Sequence, residues 1–315
     1  MAGMAAARVR RMRGPLERLY RDFDYRGRLA RDAIQYPRRY ADPLDREIVA
    51  LLTASLAYGR VDLFGAWVER LLGWLGPSPR AFALGFDPAR DRHLVAPFHY
   101  RFTRGVDVAA ALLAIHRLVV RHGSLRQAFL AGYDEADPDV RPALDRFAAA
   151  IREQDFRPVG MRRLTFGFRH LFPRPADGGP CKRWHLFLRW MVRRDAFDFG
   201  DWPEISPAKL LIPLDTHVAN MADALRLTRL RSRTGRMVED VTATLRRLDP
   251  GDPVKYDFAL CHTRMRGDCL GRRAPVCESC GLRPVCRHWP PSPGPQARAV
   301  PATRSTGDRG GGGPE

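Results

Sequence analysis

The chain lacks an apolar run long enough to cross a membrane, and its N-terminus lacks the apolar centre of a secretion signal. The most apolar stretch, Trp184 to Val192, is interrupted by His185 and Arg189, whereas a membrane-spanning helix needs about 18 or more apolar residues. Residues 1–14 are instead rich in Ala and Arg. These absences predict a soluble, cytoplasmic protein that has no membrane as a partner.

Acidic residues are few relative to basic ones. The 315 residues include 35 Asp and Glu but 53 Lys and Arg, so the formal net charge is +18. Most of the excess lies between the two termini, in the part of the chain that is expected to fold. Such an excess favours a polyanionic partner, most simply nucleic acid. An Arg-rich coding bias without nucleic-acid binding is the alternative.

Cysteine is also scarce, but four of the six cysteines are close together in the sequence. They have the spacing C-x7-C-x2-C-x5-C and are Cys269, Cys277, Cys280 and Cys286. Disulfides are typical of secreted proteins and are not expected here. Four thiolates can bind one structural zinc ion or an iron-sulfur cluster, and the spacing alone leaves both open. The other two, Cys181 and Cys261, are expected to be small buried hydrophobes.

Hydrophobic residues recur at helical spacing along most of the chain, and strand-like alternation is scarce, which predicts an all-α fold. Asp42-Pro43 is a typical helix start, because Asp caps the first amides and Pro is accepted in the first turn. Trp184 and Trp190 are expected in the core. Residues 87–105 show little periodicity and either connect two lobes or form a surface loop. Longer helices are predicted over 44–58, 63–75, 108–119, 144–151 and 183–194, and shorter ones begin at Ser206, Asp215, Gly235 and Asp252.

The residues before the cysteine quartet carry a family resemblance. A P-L-D-T-H-V helix start at 213–218 is followed by a capped helix near 252–260 and then by the basic four-cysteine loop. Over Gly178 to Trp289 this order resembles the endonuclease III-like branch of the helix-hairpin-helix DNA glycosylases. In that branch the quartet is C-x6-C-x2-C-x5-C and holds a 4Fe-4S cluster. The present chain departs by one residue in the first interval.

The resemblance implies roles for two residues. Asp215 occupies the place of the family's essential aspartate, and Lys182, in G-G-P-C-K at 178–182, corresponds to the lysine that forms a Schiff base with the sugar. The family's L-P-G-V-G hairpin is absent, and the longer interval between Lys182 and Asp215 resembles the archaeal 8-oxoguanine glycosylases. On residue type alone, N-capping is the favoured role of Asp215, and the alternative for Lys182 is an ordinary solvated or phosphate-binding lysine. His217 is expected to pack or hydrogen-bond locally.

A second resemblance covers most of the chain. The C-K-R-x-x-x-F-L-R-W-M-V-R segment at 181–193 and the I-P-L-D-x-H-V segment at 212–218 look like those of a bacterial family of conserved hypothetical proteins. Membership of that family implies no established activity, and the cysteine loop is not a general feature of it.

The glycosylase resemblance implies a base-excision DNA glycosylase with an associated AP-lyase step, which acts as a monomer on damaged double-stranded DNA of the nucleoid. The iron-sulfur loop, or a zinc loop as the alternative, would present six arginines to the phosphate backbone: Arg264, Arg266, Arg272, Arg273, Arg283 and Arg287. A catalytically inactive nucleic-acid-binding protein on the same scaffold is the alternative function.

These expectations divide the chain into four parts. Residues 1–14 form a basic tail, 15–268 a two-lobed all-α domain of the helix-hairpin-helix glycosylase type, 269–289 the four-cysteine iron-sulfur loop, and 290–315 a disordered Pro- and Gly-rich tail.

Overall fold

The computed structural model describes residues 2–289, so the predicted tail at 290–315 lies outside the described residues. The all-α prediction is confirmed. The helices are α1 (Ala2–Asp22), α2 (Arg26–Leu29), α3 (Pro43–Leu56), α4 (Val61–Leu75), α5 (Pro79–Leu84), α6 (Pro88–Asp91), α7 (Gly105–His122), α8 (Leu125–Leu130), α9 (Arg141–Arg152), α10 (Phe166–Leu171), α11 (Lys182–Val192), α12 (Thr216–Ala224), α13 (Gly235–Arg246) and α14 (Asp257–Met265). Two short strands, β1 (His99–Tyr100) and β2 (Thr103–Arg104), pair antiparallel.

Helix α3 begins as its sequence predicts. The Asp42 carboxylate accepts a hydrogen bond from the Leu44 amide, and Pro43 occupies the first turn. Most of the helix is buried, and it packs against α11, which is itself buried from Trp184 to Val192. The prediction that Trp184 and Trp190 belong to the core is therefore confirmed.

Of the predicted short helices, one is a 3-10 turn and another is wrong. Ser206 caps a single 3-10 turn, Pro207–Lys209. Asp252 opens no helix, because its carboxylate accepts from the Arg193 guanidinium instead of from the amides that follow it. The helix starts later, at Asp257.

Two segments without predicted secondary structure contain regular elements. Residues 87–105 hold α6 and the β1–β2 hairpin, whose turn includes Arg101 at φ 52°. Residues 2–14, the predicted basic tail, lie within α1. No helix among the described residues is long and apolar enough to cross a membrane.

A chain of buried ion pairs joins α11 to α14. Arg189 is 2% exposed and pairs with Asp198 and with Asp257, while Arg193 pairs with Asp198 and Asp252. Buried charges are tolerated only when they are paired in this way. The pairs fix the C-terminal half of α11 against the first turn of α14, and so they set the position of the α11 N-terminus as well.

Candidate functional site

Four chain segments converge on one cleft. The N-terminus of α11 supplies Lys182, the residue before α12 is Asp215, the C-terminal end of α3 supplies Ala57, and α14 forms the opposite wall. The cavity at its centre measures about 100 Å³. Lys182 Nζ lies 3.8 Å from Asp215 Oδ2, and the two side chains are 27% and 21% exposed. The structure thus brings together the two residues to which the glycosylase resemblance gives catalytic roles.

Lys182 is distinctive among the lysines. The chain has only three lysines, and Lys182 is the one that lines the cleft. Lys255 pairs with Asp249 at 2.6 Å and with Glu17, and Lys209 donates to backbone carbonyls at 135 and 137. The Lys182 ammonium lies 3.4 Å from the Ala57 carbonyl, at the uncapped start of α11.

A strained turn delivers Lys182 to the cleft. Gly178 has φ 74° and Cys181 has φ 44°, so two left-handed residues flank Gly179-Pro180. Glycine accepts this conformation freely, whereas a residue with a side chain pays on the order of 1 kcal/mol or more. The strained Cys181 directly precedes Lys182, and strain of this kind persists where the surrounding structure holds it in place. As predicted, the Cys181 thiol is buried.

Asp215 caps a helix and faces the cleft at the same time. Its Oδ1 accepts from the Val218 amide at 2.8 Å, which is the N-cap bond of α12. Its Oδ2 faces Lys182 and lies 3.6 Å from Cys261 Sγ. Asp215 can therefore cap the helix through Oδ1 and act on a substrate through Oδ2, so the two roles do not exclude each other.

Asp257 is a site residue that sequence reasoning missed. It is 3% exposed and lines the cleft. Its Oδ2 accepts from Arg189, whereas its Oδ1 has no hydrogen-bond partner within residues 2–289. Burial, reinforced by the neighbouring charge of Asp215, raises the pKa of Asp257 to about 6 against the opposing effects of Arg189 and Lys182. The signal in the sequence was Arg189, a charge in the middle of an apolar helix, which requires a buried acid elsewhere.

Cys261 and His262 complete the α14 wall. The prediction that Cys261 is a core hydrophobe is wrong, because its half-buried thiol lines the cleft beside Asp215. Burial raises the pKa of Cys261 well above the usual thiol value. His262 is buried, stacks on Phe258 at 4.0 Å and contacts Asp32 Oδ2 through Nε2 at 2.9 Å. That contact ties the segment before α3 to α14.

His217 follows Asp215 closely and is half-buried in the wall of the same cleft. Its assignment to local packing and hydrogen bonding stays a prediction.

The four clustered cysteines line a second, apolar cavity. Cys269, Cys277, Cys280 and Cys286 are free thiols around a space that Met221, Leu225 and Trp289 also line. Burial raises the pKa of Cys280 and of Cys286, with the neighbouring cysteines adding to the effect. No group of three or more His, Cys, Asp or Glu side chains in residues 2–289 is arranged so that it could hold a metal ion. The thiols thus share one cavity without closing around a single point.

The six arginines assigned to DNA differ in their surroundings. Arg272 and Arg273 are exposed, and Arg273 lies over the Trp289 ring at 4.2 Å. The other four make contacts to nearby residues: Arg264 with the Cys269 carbonyl, Arg266 with Asp268, Arg283 with the Glu278 carbonyl, and Arg287 with Asp223.

Residues 32–266 match a protein family that is described as a protein of unknown function, DUF2400. The chain belongs to this family. The match includes Asp32, Lys182, Asp215, Asp257 and Cys261, so the whole chemistry of the cleft lies in the part that defines the family. It ends before Cys269, and the cysteine loop of this DUF2400 protein is an addition to the matched region. The comparisons with curated proteins and with solved structures gave no match.

Proposed function

We propose that the protein is a base-excision DNA N-glycosylase with an AP-lyase step, acting on double-stranded DNA that carries a damaged base. One observation carries the proposal: Lys182 Nζ lies 3.8 Å from Asp215 Oδ2 at the mouth of a cleft between helices. An amine beside a carboxylate is the pair that covalent catalysis at a sugar carbon requires. The large positive charge supplies the attraction for the phosphate backbone.

In the proposed reaction, Lys182 is the nucleophile and Asp215 is the base. A damaged nucleotide is extruded from the duplex into the cleft. The free amine of Lys182 forms a bond to C1′ while the electron pair of the glycosidic bond leaves with the base, which takes a proton from solvent. Asp215 Oδ2 accepts the proton that the attacking nitrogen loses. The sugar ring then opens as the C1′–O4′ bond breaks, O4′ takes the proton from Asp215, and the nitrogen lone pair forms the protonated Schiff base. Removal of a C2′ proton by solvent forms the C2′–C3′ double bond and expels the 3′ phosphate.

Lys182 must lose a proton before it attacks, and a carboxylate lies close enough to accept it. Asp215 Oδ2 is 3.8 Å from Lys182 Nζ. Asp257, whose free Oδ1 lines the same cleft, adds a second carboxylate to the site.

We assign a 4Fe-4S cluster to the cysteine quartet, with zinc as the alternative. The number and type of the side chains support this assignment, because four free thiols line one apolar cavity and thiolates are the ligands of both centres. The thiols would have to draw together around the bound group. The group would act as a structural staple of the loop at 269–289. A brown protein with an absorbance band at about 400 nm supports the cluster. A colourless protein with stoichiometric zinc assigns the site to zinc.

Borohydride trapping tests the proposed chemistry. Wild-type protein is incubated with a duplex that contains an abasic site, and the imine is reduced to a stable covalent adduct. We expect an adduct with wild type and with Lys209→Ala, the matched control, and none with Lys182→Ala. An adduct that survives Lys182→Ala would contradict the assignment of the nucleophile.

A screen for base release tests the glycosylase step separately. Duplexes with oxidised, deaminated and alkylated bases are incubated with wild type and with Asp215→Asn. We expect release from at least one class, most readily an oxidised purine, and a loss of release in the variant. DNA binding without release from any substrate would identify the protein as an inactive binder on this scaffold.

A further inference from the structure

We propose that a second cleft, at the far end of α12 from Asp215, binds backbone phosphates of the duplex on one side of the damaged nucleotide. This inference rests on the proposed function and extends it to a contact region that includes α1. The occupant is a phosphodiester, since the cleft offers guanidinium groups and little else that is polar.

The lining of this cleft is dominated by arginine. Arg8 and Arg11 come from α1, Arg226 follows α12, and Arg287 belongs to the cysteine loop. The remaining lining residues are Pro284, Val285 and Cys286, so no carboxylate of the described residues lines it. The cavity measures about 340 Å³, and we name it the arginine cleft.

The arginines are held close together without matching negative charge. Burial, together with the neighbouring charges of Arg226 and Arg11, lowers the pKa of Arg8. One carboxylate lies at the edge, Asp223, and it contacts both Arg287 and the exposed Arg231. Arg11 and Arg226 are exposed. A bound anion would relieve the repulsion among these groups, as expected of a prearranged phosphate site.

Backbone contacts fix the arginine cleft to the end of α12. The Arg8 guanidinium donates to the Leu225 carbonyl at 2.6 Å, and the Arg287 amide donates to the Ala224 carbonyl at 2.8 Å. Arg226 adopts a left-handed conformation, φ 49°, which is costly for a residue with a side chain. Three separate segments thus present their guanidinium groups from one rigid position.

The distance between the two clefts is short enough for one duplex to reach both. Helix α12 has nine residues and separates Asp215 from the arginine cleft, so the two lie about 14 Å apart along its axis at roughly 1.5 Å per residue. That length corresponds to about four base pairs at roughly 3.4 Å per pair. A duplex that runs along α12 with its damaged nucleotide in the first cleft would bring phosphates within reach of the second.

The salt dependence of binding tests the site. Affinity for a duplex with an uncleavable abasic analogue is measured by fluorescence anisotropy across a series of salt concentrations. We expect Arg11→Ala/Arg226→Ala to reduce the slope of log K against log salt by about 2, since each phosphate contact contributes about 1. The matched control, Arg121→Ala/Arg162→Ala, removes two exposed arginines that line neither cleft. Equal slopes for the two double variants would overturn the proposal.

Single neutral methylphosphonates then locate the contact. We expect substitution at about four base pairs from the abasic analogue to weaken wild type and to leave Arg11→Ala/Arg226→Ala unaffected. The same loss in both proteins would place the contact elsewhere and overturn the assignment. Base release and borohydride trapping are recorded at saturating protein, where weaker binding has no effect. Their failure would contradict the proposed function, whereas a change in binding alone concerns the arginine cleft.

Discussion

At the scale of single residues, the cleft depends on carboxylates in unequal surroundings. Asp215 is partly exposed, and its Oδ1 accepts the N-cap hydrogen bond of α12, whereas Asp257 is buried and its Oδ1 has no hydrogen-bond partner among the described residues. Burial raises the pKa of Asp257 to about 6, and acids with perturbed pKa values are common at catalytic sites. The shift gives Asp257 a measurable signature in stability.

We predict a pH-dependent loss of stability that belongs to Asp257. A carboxyl whose pKa is raised on folding stabilises the protein below its unfolded pKa, and the contribution is lost as the pH rises through the folded value. For Asp257 this window runs from the ordinary 3.8 to about 6. Unfolding by urea, measured from pH 4 to 7.5, should show a decline on the order of 1 to 3 kcal/mol that is absent in Asp257→Asn. Parallel profiles for the two proteins would show that Asp257 does not titrate in this range.

Some residues of the cleft could be predicted from the sequence, and others could not. The patterns at Lys182 and Asp215 predicted two helix starts, and the structure has both, but only the glycosylase resemblance led us to expect that the two residues share one site. Asp257 could not be predicted, since an acid in a first helical turn is usually a solvated favourable charge. Its partner Arg189 is remote in sequence, and only the packing of α11 against α14 reveals that both are buried.

At the scale of elements, helices with a strong apolar stripe were predicted to within a few residues, as α3 and α7 demonstrate. The helix start read from Asp-Pro failed at Asp252, because its carboxylate binds Arg193 instead of the amides that follow. Ser206 does cap the next turn, but that turn ends after three residues. The short β1–β2 hairpin has too few residues for any alternation to be visible. Local patterns therefore predict long elements better than connections.

The turn that leads into α11 offers a matched pair of variants. Gly178 has φ 74°, whereas its neighbour Gly179 has no positive φ, and an added Cβ meets no atom within 4 Å at either position. Gly178→Ala should cost about 1 kcal/mol of stability through backbone strain alone, and should slow borohydride trapping because it displaces Lys182. Gly179→Ala is the control and should change neither quantity by much. Thermal unfolding and trapping rates check both, and equal effects of the two variants would count against a role of the turn in positioning Lys182.

At the scale of the whole molecule, the two ends of the described chain meet at one place. Helix α1 packs against the turn Arg283–Val285 of the cysteine loop, and both reach the C-terminal end of α12. The opposite end of α12 carries Asp215. A single short helix thus links the chemical cleft to the part of the molecule where the cysteines, α1 and the arginine cleft come together.

In the proposed function, this arrangement would separate DNA affinity from chemistry, and one variant tests the separation. Cys280→Ala removes a thiol from the cysteine cavity, and we expect it to prevent binding of the proposed metal centre and to loosen both the loop and α1. DNA affinity at moderate salt should fall at least tenfold, because the arginine cleft loses its framework. Trapping on an abasic duplex at low salt and saturating protein should persist, because Lys182 starts the helix that the buried ion pairs fix and Asp215 is held by its N-cap bond to Val218. The adjacent exposed Ser279→Ala is the control. Loss of trapping in a Cys280→Ala protein that remains folded and saturated with DNA would mean that the cysteine loop takes part in the reaction itself.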